Sequence, residues 1–150
     1  MNGGGGRGPF GPRDQRGAAT AELAMIVPAF MLMLALLVAG GRLWYARTIV
    51  FEAGYAAARA GSLARTANEA RIAGDSAGRQ SLATAGLVCE QAGVSVSTAA
   101  FRVPAGRPAT VSATVRCTVS LADVVLPGLP GAMELSATGA AALDTYRSRG

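Results

Sequence analysis

Residues 16–41 read RGAATAELAMIVPAFMLMLALLVAGG, and this stretch decides how the rest of the chain is read. Its last 19 residues, 23–41, carry no charge and no strongly polar side chain. As an α-helix they would span about 28 Å, close to the hydrocarbon thickness of a bilayer. A buried helix of a soluble protein is the alternative, and 19 residues without a polar face argue against it. Pro28 removes one backbone hydrogen bond early in the run, a loss that membrane helices tolerate. Residues 18–41 therefore read as a transmembrane helix.

Working back from this run, residues 1–17 (MNGGGGRGPFGPRDQRG) hold seven Gly and two Pro. Too little apolar surface is present to offset the entropy of ordering, so a disordered basic leader is expected. It carries three Arg against one Asp, or +2 of the chain's net +5. The other 133 residues scatter eleven Arg among eight acids. With no Arg run and no aromatic RNA-binding signature, the charge does not point to nucleic acid.

Working forward, residues 42–90 read as a helical region. Leu43, Ala46, Val50, Ala53, Ala57, Ala60, Ala64 and Ala67 recur at spacings of three and four, a narrow small-residue seam. One helix is expected from about Ala18 to about Ala73. Gly54 and Gly61 weaken it slightly. A break near Gly74-Asp75 and a second helix over residues 76–89 follow.

The period then changes. From Ala109 to Leu121 every odd position is apolar and every even one polar, the mark of a strand with one buried face. Residues 133–143 alternate again. Residues 94–103 do so with a slip between Thr98 and Phe101, which suggests a bulge. The turn-rich segments PAGRP (104–108) and LPGLPGA (126–132) separate the three. The expected fold is α+β: a long N-terminal helix, membrane-spanning in its first half and amphipathic in its second, packed on a three-stranded antiparallel sheet over residues 91–146. Residues 147–150 form a tail. The apolar LPGLPGA loop is either a contact surface or buried.

Cys89 falls at the end of the second helical region and Cys117 on the inner face of the best strand. Either they are two free buried thiols, or they form a disulfide, which needs an oxidising compartment. The chain has no His and no Lys. This excludes Ser-His-Asp and Cys-His catalysis, His-ligated metals, P-loops and Schiff-base chemistry. Two cysteines cannot make a four-thiolate zinc site. No enzyme and no cofactor is expected.

At the mouth of the apolar run a flexible basic leader ends in Gly17, and a lone Glu22 stands five residues on. A carboxylate there is either an interfacial first-turn residue or one that needs a partner. The constellation Gly17-Ala18…Glu22-Leu23…Pro28 resembles a type IV prepilin processing site, and within that class the TadE-like family of tight-adherence (Flp) pilus systems. The resemblance runs from Arg16 to about Ala60 and includes YAAARAG (55–61).

The resemblance implies a pilin-like minor pilin or pseudopilin. A prepilin peptidase would cut after Gly17, leaving Ala18 as the new N-terminus. Glu22 would pair with the neighbouring subunit's Ala18 ammonium, while Leu23 and Pro28 complete the assembly motif. The implied partners are the peptidase, other pilin or pseudopilin subunits, the inner-membrane assembly platform and the membrane, with no nucleic acid. The N-terminus would be cytoplasmic and the C-terminal domain extracytoplasmic. The competing reading is an uncleaved single-pass membrane protein with an extracytoplasmic binding domain and no part in a filament.

Overall fold

A computed structural model describes Met1, residues 14–125 and residues 127–146, with backbone alone for residues 14–22. The chain divides into two units, Met1–Val38 and Ala39–Gly150. The expectation of a disordered leader falls on residues 2–13, outside the described residues, as does the expected tail at 147–150.

The first helix, α1 (Asp14–Leu63), begins four residues before the expected Ala18 and contains Pro28 without interruption. Within the first unit every described residue from Leu23 to Val38 is exposed except the half-buried Ala35. Leu23–Leu63 is long and apolar enough to cross a membrane, with its most apolar window almost wholly unburied.

In the second unit three strands, β1 (Gln91–Val96), β2 (Ala109–Ser120) and β3 (Ala132–Leu143), form an antiparallel sheet in the order β1-β2-β3. The expected α+β meander is therefore present, with its best-patterned strand in the centre. The alternation decides the faces. Val111, Val115, Cys117 and Val119 are fully buried, as Ala113 nearly is, whereas Arg116 and Thr110 look outward. Each such Val contributes roughly 1.5–3 kcal/mol on leaving water. On the outer face Thr114 and Thr138 pair across β2 and β3, their hydroxyls 2.8 Å apart.

Two helices cover the inner face. From Ala46 onward, α1 buries Ala46, Ile49, Val50, Ala53, Gly54, Ala57, Ala58, Gly61 and Ser62. Five of these lie beside the expected seam rather than on it. Gly54 and Gly61 are contact points here, so close packing offsets their poor helix propensity. A Cβ on Gly54 would sit 3.1 Å from the Gly139 amide nitrogen and 3.3 Å from the Ala137 oxygen. A Cβ on Gly139 would collide with the backbone of Gly54 and Tyr55. The helix thus crosses β3 backbone on backbone, and only Gly fits at that approach.

The helix break lies elsewhere than expected. It falls at residues 64–66, and α2 (Ala67–Thr84) runs through Gly74-Asp75. A capping box sets the new start. Glu69 N–H donates to Thr66 Oγ1 at 3.2 Å, and Thr66 N–H donates to Glu69 Oε2 at 3.3 Å. Gly74 is buried, with Ala57 and Val96 against it, so close packing offsets its poor helix propensity. Gly86, at φ +72°, ends α2. Leu87 N–H reaches the Leu82 carbonyl and Gly86 N–H that of Ala83, a Schellman arrangement.

The first strand also differs. It occupies Gln91–Val96 instead of 94–103, and the phase slip is a 3-10 turn, Ala99–Arg102, not a bulge. That turn buries Ala100 beside Val111 and Leu143. A further short helix, α3 (Leu121–Val124), opens the β2–β3 connection.

Candidate functional site

The first residues singled out by the sequence lie in the opening turns of α1. Gly17, Ala18 and Glu22 belong to the stretch described by backbone alone, so the surroundings of the Glu22 carboxylate lie outside the described residues. Leu23 and Pro28 are exposed on the same helix.

The structure does bring the two cysteines together. Cys89 and Cys117, 28 positions apart in the sequence, form a disulfide with Cα atoms 5.3 Å apart. Cys89 does not end a helix. It lies in the connection between α2 and β1, five residues after Thr84. Its partner is fully buried on β2, and the adjacent Glu90 N–H donates to the Thr118 carbonyl at 2.8 Å. The bridge therefore pins the lead-in of β1 to the central strand.

Some surface features were not anticipated. Trp44, Phe51 and Tyr55 follow one another at i, i+7 and i+11 on α1, with Tyr45 beside them, and all four are exposed. Their spacing was readable, but a search for the buried seam passes over the opposite face. Trp44, Arg47 and Phe51 wall an open groove of about 550 Å³ whose floor is Glu134–Ala137 of β3. Glu134 lies 3.8 Å from Arg116 in a well-exposed ion pair, a weak contact. Residues 127–131 of the LPGLPGA loop are exposed, which overturns the buried reading for that part. Among the described residues no group of three or more His, Cys, Asp or Glu side chains could hold a metal.

These features define an α+β protein with one apolar N-terminal helix, a candidate membrane span, and a disulfide-closed unit of two helices on a three-stranded sheet. The family model described as TadE-like protein matches residues 17–59, the family that the N-terminal residues resemble. That family comprises pilus-associated proteins of the tight-adherence systems, structural rather than enzymatic in kind. No curated protein and no solved structure matches the chain.

Proposed function

We propose that this chain is a minor pilin or pseudopilin that acts in assembly of a tight-adherence pilus after cleavage between Gly17 and Ala18. The observation that carries this reading is the start of the family match at residue 17, the last position of the proposed leader. The exposed apolar stretch from Leu23 supports a membrane anchor. The disulfide supports an extracytoplasmic place for the second unit, because such bonds persist in oxidising compartments.

In this reading the leader stays in the cytoplasm. Cleavage by the prepilin peptidase creates an α-ammonium at Ala18. Paired with the Glu22 carboxylate of the next subunit, it satisfies two charges that apolar surroundings would penalise, and it fixes the axial register. The partners are the peptidase, neighbouring subunits and the inner-membrane assembly platform.

N-terminal sequencing of the chain purified from native cells tests the reading. A mature start at Ala18 is expected. Intact residues 1–17 would overturn processing and favour an uncleaved single-pass binding protein.

A further inference from the structure

Three segments meet at one end of the second unit. They are the first turns of α1 beyond residue 41, the α2–β1 connection at residues 85–87, and α3. Arg42, Tyr45, Gly86, Leu87, Asp123 and Val124 line a common depression there. Gly131 is held beside the start of α3, since Leu121 N–H donates to its carbonyl at 2.9 Å. Folding leaves apolar side chains uncovered on and beside these segments: Tyr45 of the depression itself at 60% exposure, its chain neighbour Trp44 at 71%, Val88 next to Leu87 at 72%, and Leu129, two residues before Gly131, at 41%.

We propose that this end of the unit is a seat for a phospholipid surface, resting on the reading of residues 23–41 as a membrane span. Covalent continuity names the occupant. The apolar run ends at Gly41, and Arg42 is the next residue. At 1.5 Å per residue Trp44 and Tyr45 lie about 5 Å beyond that end, within the headgroup layer of about 5–8 Å. Phe51 lies about 15 Å beyond it, past the headgroups. Trp and Tyr rings suit the headgroup level because one end is apolar and the other hydrogen-bonds. Arg42 can lay its stem on the apolar boundary with its guanidinium in the headgroups. Val88 and Leu129, beside the two other segments, give the seat its second and third points of contact. Because Arg42 and Asp123 share this surface, it needs no anionic lipid.

Trp44 is the chain's single tryptophan, so its fluorescence reports one position. The full chain is reconstituted in phosphatidylcholine vesicles whose acyl chains carry bromine near the headgroup, at mid-chain or near the tail end. Wild-type Trp44 should be quenched most by the shallow bromines. In a Trp44→Phe background, Val88→Trp and Leu129→Trp should be quenched at least half as strongly by the same lipid. Tyr146→Trp should not be quenched. Tyr146 is 93% exposed and follows Thr145, whose carbonyl accepts from Gly106 N–H at the other end of the sheet. Added salt should change none of these values.

If Trp44 is quenched while Val88→Trp and Leu129→Trp behave like Tyr146→Trp, the seat is wrong, and the exposed side chains await a protein instead. Quenching of all four positions would mean an unspecific collapse onto lipid and would equally overturn it, as would quenching that requires anionic lipid. An unquenched Trp44 would overturn the membrane span itself.

Discussion

Gly139 stands where the backbone of α1 passes over β3, and a methyl group there would overlap Gly54 and Tyr55. The neighbours are main-chain atoms, which cannot swing aside as a side-chain tip can. Gly139→Ala should therefore destabilise the second unit by about 1–3 kcal/mol, the usual cost of overpacking. Chemical unfolding of the full chain in detergent, followed by circular dichroism, measures it. Gly93 is the control, since a Cβ there meets nothing within 4 Å. Gly93→Ala should leave stability within about 0.5 kcal/mol of wild type. Neither role was legible in the sequence. A glycine in an alternating strand marks a bulge, a bend or a close approach without saying which. On the pilin reading proposed above, Glu22→Ala should sharply reduce pilus incorporation, read by surface labelling, while leaving cleavage after Gly17 intact. Unchanged piliation would remove the register role of the carboxylate.

At the scale of the element, the strands were largely readable and the helix ends were not. Thirteen residues of alternation placed β2 to within a residue, because a period of two leaves a strand no freedom to rotate. The break between α1 and α2 was misplaced because Gly74-Asp75 looked like a stop. The real signal was Thr66-x-x-Glu69, a capping box whose reciprocal bonds satisfy the first amides of α2. Thr66→Ala should cost about 1 kcal/mol, visible as a lower denaturation midpoint with an unchanged slope. The expected bulge after β1 became a 3-10 turn for a comparable reason. Burial of Ala100 against Val111 and Leu143 decides it, and that contact joins residues distant in sequence. The exposed face of α1 was missed because periodicity shows where apolar residues recur, not which of two such stripes meets the sheet.

For the whole molecule, the disulfide is the largest single constraint. Closing a loop of 28 positions removes denatured-state entropy worth roughly 3.5 kcal/mol in the chain-entropy model. Replacing both cysteines by Ala should destabilise the second unit by about that amount. The double variant is the fair comparison, because a single replacement leaves one thiol unpaired. Thiol alkylation of the unfolded wild-type chain without reductant should leave its mass unchanged.

The central position of β2 bears on how the chain matures. Synthesis proceeds from the amino end, so α1, α2 and β1 all exist before the strand that joins them. Until residue 120 has been made, the helical seam from Ala46 to Gly61 has no sheet to lie against. Until residue 117 arrives, Cys89 is a lone thiol. A nascent or truncated chain thus displays both an uncovered apolar stripe and a reactive sulfur, features that quality-control proteases and holding chaperones recognise. Completion of β2 gives Cys89 its partner and the seam its first strands, but the stripe is fully covered only when β3 brings Gly139 against Gly54.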